Sequence, residues 1–176
     1  MMLLKETADA FISGDLKALE IIYRETFKTI YQLVYRMTGD RHDAEDLTHD
    51  IYIRAYEKRA LYKKERSAIS TWIYRMAVNY TLNALRKRKR WSNEKVIDNS
   101  ETAEVLIEHL ENTELVAELL KMLNPDFKVC LIMRDVEDMS YDEIAKILGI
   151  SIGTVRSRIN RGRVQLKRLF KEYSRR

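Results

Sequence analysis

The stretch that most restricts the fold runs Met139-Ser-Tyr-Asp-Glu-Ile-Ala-Lys-Ile-Leu-Gly-Ile-Ser-Ile-Gly-Thr-Val-Arg-Ser-Arg-Ile-Asn-Arg-Gly-Arg163. Ser140 and Glu143 form a capping box, in which each side chain satisfies a backbone donor of the other. Met139 and Ile144 stand where a hydrophobic staple would pack. Gly149 supplies the positive φ of a tight turn, and Ser151 can cap a second helix. Ala145 is small enough for that helix to cross closely. Val155, Ile159, Gly162, Leu166 and Leu169 fall within one narrow arc of it, which predicts its buried face. Two short helices crossing around such a turn have the layout that seats the second helix in the DNA major groove.

Arg156, Ser157, Asn160 and Arg161 project away from that arc. Arg pairs bidentately with guanine, Asn with adenine, and Ser is permissive. Residues 151–176 carry nine basic groups against one acid, Glu172. The further cations there, Arg158 and Arg163 among them, are expected to grip phosphates and set register. The competing reading is a plain helical hairpin with a solvated basic face.

One Pro and five Gly among 176 residues rich in Leu, Ile, Ala, Glu, Lys and Arg predict an all-α protein. The single Cys130, within an apolar run, excludes an internal disulfide and reads as buried packing. The N-terminal residues carry acids where a signal peptide is apolar. No apolar run approaches the roughly 18 residues of a membrane span. The expectation is therefore a cytoplasmic protein with no stable membrane insertion.

Charge divides along the chain. Residues 1–90 are net +6, 91–112 net −5 and 113–176 net +4. Basic blocks point to a polyanionic partner. These shifts predict two small helical domains, 1–90 and 113–176, joined by an acidic linker at 91–112. The second domain, of about 60 residues, would be marginal alone.

Within residues 1–90, apolar spacing predicts a helix over 15–38, stopped by Gly39, and a second one capped by Asp40 and running to about residue 60. A basic loop over 61–69 leads into a third helix starting near Ser70. On that helix Trp72, Arg75, Asn79, Asn83, Arg86 and Arg90 share one face, and Ile73, Met76, Ala77, Tyr80 and Ala84 are expected as core. An aromatic, amides and cations together suit phosphate contacts and base stacking. The loop cations Lys63, Lys64 and Arg66 could hold a single strand or an extruded base. A solvated face with Trp72 packed under a loop is the alternative.

The second helix differs. Ala44, Leu47, Thr48, Ile51, Tyr52 and Ala55 make its core stripe. Asp43, Asp46, Asp50, Arg54 and Glu57 lie outside, with Ile53 exposed among them. An acidic face on a basic domain suits a basic protein partner, or else is ordinary solvated surface. His42, Asp46, His49 and Asp50 are within reach of one another, but without thiolates they argue for no metal. No nucleophile–base pair or phosphate-binding Gly loop is present, so neither an enzyme nor a cofactor is expected.

Taken together, Asp43-Ala-Glu-Asp-Leu-Thr-His-Asp-Ile-Tyr-Ile-Arg-Ala-Tyr56, Thr71-Trp-Ile-Tyr-Arg-Met-Ala-Val-Asn79 and Gly153-Thr-Val-Arg-Ser-Arg-Ile-Asn-Arg161 resemble a bacterial RNA polymerase sigma factor of the extracytoplasmic-function (ECF) type. The resemblance covers nearly the whole chain. It implies that the acidic helix docks on the clamp helices of core RNA polymerase. It implies that the 61–69 loop and the Trp72 face capture and melt the promoter's minus-ten element. A C-terminal region-four domain would read the minus-thirty-five element while seated on the polymerase flap, and an anti-sigma factor would hold the protein inactive. Asn83 stands where the family commonly has Asp. Asn160 stands where the recognition helix often carries something bulkier, so promoter preference does not carry over. The alternatives are a stand-alone helix-turn-helix regulator and a general single-strand or RNA binder.

Overall fold

The computed structural model describes residues 2–91 and 113–174, and every regular element among them is a helix, as expected. The expected linker lies outside the described residues, apart from the backbone of Trp91. Two compact units, Met1–Thr81 and Leu82–Arg176, divide within a helix.

The first unit contains α1 (Met2–Ser13), α2 (Leu16–Thr38), α3 (Arg41–Glu57), a short 3-10 turn (Arg59–Leu61) and the start of α4 (Ile69–Trp91). Gly39 ends α2, and the Asp40 side chain caps α3 by accepting from the Asp43 N–H at 2.9 Å. Helix α1 precedes the first helix that the apolar spacing predicts. It delivers the fully buried Phe11, whose ring meets Tyr56 and Trp72 edge-on at 6.5 and 6.4 Å. Ile22, Ile30, Leu33 and Met37 of α2 pack with Ala44, Ile51 and Ala55 of α3, all at 1% exposure or less. One polar link crosses this core. Thr26 donates to the Ile22 carbonyl at 2.6 Å, which leaves its oxygen to accept from the Tyr52 hydroxyl at 2.7 Å. That arrangement satisfies both buried hydroxyls.

Helix α4 corrects part of the expected core. Ile73 and Ala77 are buried as expected, but so are Tyr74, Val78 and Thr81, whereas Met76, Tyr80 and Ala84 are only half-buried. Tyr80 stays near the surface because α3 offers it polar partners. Its hydroxyl donates to Asp50 at 2.9 Å, and the Arg54 guanidinium lies 4.5 Å above its ring. Sequence periodicity alone could not anticipate either partner.

The second unit contains α5 (Thr113–Met122), α6 (Pro125–Leu131), a π turn (Ile132–Val136), α7 (Tyr141–Leu148) and α8 (Ile152–Tyr173). Asn124 caps α6 through the Asp126 N–H at 2.9 Å, ahead of Pro125 in its first turn. Leu119, Leu123, Val129, Ile132 and Met133 are buried with Ile144, Val155, Ile159 and Leu166. Cys130 is fully buried among them, and burial pushes its thiol up to about 11.

Gly162 lets α8 pack closely against α6. A Cβ there would lie 2.9 Å from Leu131 Cδ1 and 3.2 Å from Phe127 Cβ. A larger residue would force the Leu131 side chain, or α6 itself, to shift.

Candidate nucleic-acid interface

The turn between α7 and α8 is built as its residues require. The Ser140 N–H donates to Glu143 Oε2 at 2.8 Å, and the Glu143 N–H donates to Ser140 Oγ at 3.3 Å. The bonds from Ser140, hydroxyl first and backbone second, hold the Glu143 carboxyl below the usual carboxylate range. Gly149 takes φ 66° and returns its N–H to the Ala145 carbonyl. Ser151 then caps α8 by accepting from the Thr154 N–H at 3.1 Å. Both helix starts are thus fixed by local bonds worth about 1 kcal/mol each.

On α8, Val155, Ile159, Gly162 and Leu166 are buried and Leu169 is half-buried. Arg156, Ser157, Asn160 and Arg161 are all exposed, as the expected reading face requires. The Ser157 hydroxyl donates to the Thr154 carbonyl at 2.9 Å, which leaves it free to accept. Arg158 and Arg163 stand apart from these four. Arg158 Nη2 meets Asp126 Oδ1 at 3.0 Å, and Arg163 Nη2 meets Asp135 Oδ1 at 2.8 Å. Both cations turn back toward the protein, so the expected six-residue set divides into four outward side chains and two inward ones. Asp126 and Asp135 belong to α6 and the π turn, too far along the chain for the spacing within α8 to reveal them.

On α4, Arg75, Asn79 and Asn83 are exposed. Asn79 donates to the Arg75 carbonyl at 2.9 Å. Trp72 is half-buried, its ring centroid 5.5 Å from that of Tyr62. Tyr62 is 5% exposed, and its hydroxyl closes the basic loop by donating to the Ser67 carbonyl at 2.9 Å. Trp72 therefore packs under the loop while leaving part of its surface open. Lys63 and Arg66 are exposed, and Lys64 is clamped to Asp9 of α1 at 2.7 Å. Arg86, in the second unit, donates from Nε to Asp126 at 3.1 Å. The Arg90 side chain lies outside the described residues.

On α3, Asp46, Asp50, Arg54 and Glu57 are exposed, Ile53 is 58% exposed and Asp43 is half-buried. Leu47, expected in the core stripe, is half-buried. Of His42, Asp46, His49 and Asp50, the first two pair with each other and the other two turn elsewhere. His42 pairs with Asp46 at 3.2 Å, His49 stacks on Phe27 at 6.4 Å, and Asp50 accepts from Tyr80.

A capped and tightly turned α7–α8 pair presenting two arginines, a serine and an amide defines a helix-turn-helix DNA-binding protein. Comparison with known proteins narrows this class. Sigma-70 region 2 matches residues 22–91, and sigma-70 region 4 matches residues 113–166. The chain is 33% identical over 172 residues to the ECF RNA polymerase sigma factor SigE of Mycolicibacterium smegmatis, covering 92% of this chain and 66% of that protein. It is 32% identical over 164 residues to the ECF RNA polymerase sigma-E factor of Escherichia coli, covering 85% of each. Among solved structures, the sigma factor RpoE of Bartonella quintana, bound to the anti-sigma factor NepR, superposes with a TM-score of 0.64. That match has 24% identity and covers 88% of this chain and 98% of the other.

The chain belongs to the ECF family of RNA polymerase sigma factors. As a transcription initiation factor of this family, it binds core RNA polymerase and promoter DNA and directs promoter-specific transcription.

Proposed function

We propose that this sigma factor divides its work among three faces. Arg156, Ser157, Asn160 and Arg161 of α8 read the upstream, minus-thirty-five element from the major groove, with the domain seated on the polymerase flap. Lys63, Lys64 and Arg66 of the loop, with Trp72, Arg75, Asn79 and Asn83 of α4, capture and open the minus-ten element. Arg86 and Arg90 extend the basic charge of that helix. The acidic face of α3, with Asp43, Asp46, Asp50, Ile53, Arg54 and Glu57, docks on the clamp helices. The protein works in the cytoplasm, without catalytic chemistry of its own, and an anti-sigma factor restrains it.

The observation that carries this reading is the outward set of four polar side chains on α8, held at a fixed angle by two local caps and the Gly149 turn. Such a set suits direct readout of base edges. Polymerase reconstituted with this chain should protect two separated promoter elements in a footprint. Thymines of the minus-ten element should become reactive to permanganate, and Trp72→Ala should reduce that opening without removing the upstream protection. Tight binding to duplex DNA without polymerase, and no effect of core enzyme, would instead mark a stand-alone regulator.

A further inference from the structure

We propose that Asp135, in the π turn, is a specificity-determining residue that acts without touching DNA, by fixing the roll of the recognition helix α8 through Arg163. This rests on the assignment of the outward face of α8 to the upstream element.

The segment from Asn124 through the π turn grips α8 on both sides of Gly162. At Gly162 the two helices pack so closely that a methyl group would meet the Leu131 side chain at 2.9 Å. Close contact at one point sets the distance between two helices but leaves each able to rotate about its axis. Rotation is opposed by polar ties away from that point. The Asn124 N–H donates to Gln165 Oε1 at 3.3 Å, Asp126 holds Arg158 at 3.0 Å, and Asp135 holds Arg163 at 2.8 Å.

Asp135 is the more enclosed of the two carboxylates. Its side chain is 13% exposed, and Oδ2 is buried without a hydrogen-bond partner, so its charge is answered through Oδ1 and Arg163. A carboxylate so enclosed strongly favours the geometry that keeps its cation. The π turn is what puts it there. A π turn encloses one more residue per hydrogen bond than an α turn, seen here as the Glu137 N–H donating to the Ile132 carbonyl at 3.0 Å. Without that extra residue, a different side chain of the segment would face Arg163.

Arg163 lies only two positions from Arg161 and three from Asn160 along α8. Any roll that relaxed the Asp135–Arg163 pair would carry those two groups away from their base edges. Base-edge hydrogen bonds are directional, whereas attraction to phosphate is not. A small roll should therefore cost discrimination before it costs affinity.

The test uses the full chain with core polymerase on a promoter fragment found by transcript mapping, with single base-pair changes in its upstream element. A change that costs the native protein about tenfold in initiation should cost Asp135→Asn about threefold or less. Arg163→Gln should behave alike, with the salt dependence of promoter binding unchanged. The exchange Asp135→Arg with Arg163→Asp should restore the native penalty. Arg161→Ala serves as control for the reading face itself.

Native penalties in Asp135→Asn would overturn the proposal. So would a uniform loss on all upstream sequences in Arg163→Gln with a shallower salt dependence, unrescued by the exchange, which is the signature of a phosphate contact. If Asp135→Asn fails to fold, Arg163→Gln decides. If Arg161→Ala also leaves every penalty intact, the assignment of the α8 face fails; if Arg161→Ala removes them and Asp135→Asn does not, only the positioning role fails.

Discussion

Two glycines in α8 should respond to the same substitution with opposite signs. At Gly162, alanine would place its Cβ 2.9 Å from Leu131 Cδ1, 3.1 Å from Leu131 Cγ and 3.2 Å from Phe127 Cβ. Carbon pairs are comfortable at about 3.5–4.0 Å, so the Leu131 side chain and the Phe127 Cβ, which moves only with α6, must give by a few tenths of an ångström. Leu131 is 2% exposed, so its side chain gives only against packed neighbours. Overpacking of this kind costs about 1–3 kcal/mol, while alanine returns up to about 1 kcal/mol of helix propensity. The balance is a net loss of up to about 2 kcal/mol. At Gly153 the nearest atom to a new Cβ is Ser151 Oγ at 3.8 Å, an ordinary contact. Only the propensity term remains there, a gain of up to about 1 kcal/mol. Thermal and urea unfolding of the full chain, followed by far-ultraviolet circular dichroism, would separate the two. About 1 kcal/mol should move the midpoint of a unit this small by about 4–8 °C. A gain at Gly162→Ala equal to that at Gly153→Ala would refute the packing argument, as would equal losses at both positions.

Asp46→Lys should weaken binding to core polymerase in a pull-down titration with the helical content unchanged; undiminished binding would remove α3 from the docking surface. Arg161→Ala should lower discrimination at one position of the upstream element by about 1–3 kcal/mol, read by initiation from a series of single-base changes, whereas equal loss on every promoter would make it a phosphate contact. The Cys130 thiol, raised from 9.0 to about 11 chiefly by burial, binds its proton more tightly folded than unfolded. Its contribution is complete below pH about 9 and is lost as pH rises toward 11, on the order of 3 kcal/mol in all. Urea midpoints against pH should show that alkaline slope in the native chain and a flatter one in Cys130→Ala; parallel slopes would show that the thiol is not its source.

The local sequence determined every element whose instructions lie within a few residues. Ser140 with Glu143, Gly149 and Ser151 specify two caps and a turn, because each bond closes over three or four positions. The same is true of Gly39 and Asp40 between α2 and α3. The 3.6-residue period then decided which side of α8 is buried, and hence that Arg156, Ser157, Asn160 and Arg161 face outward. Even the ECF resemblance rests on such short stretches.

Tertiary structure decided what depends on partners distant in the chain. Arg158 and Arg163 carry the same charge as Arg156 and Arg161, but they flank the buried arc, and there Asp126 and Asp135 hold them against the fold. Tyr80 left the expected core because Asp50 and Arg54 lie beside it, 30 and 26 positions earlier in the chain. Trp72 packs under its loop because Tyr62 and Phe11 converge on it from two other elements. Periodicity reports which side of a helix is apolar, but the partner of a long polar side chain is set by how the helices cross. In this protein the crossing at Gly162 fixes where α8 lies, and the carboxylates around it separate the arginines that face outward from those held against the fold.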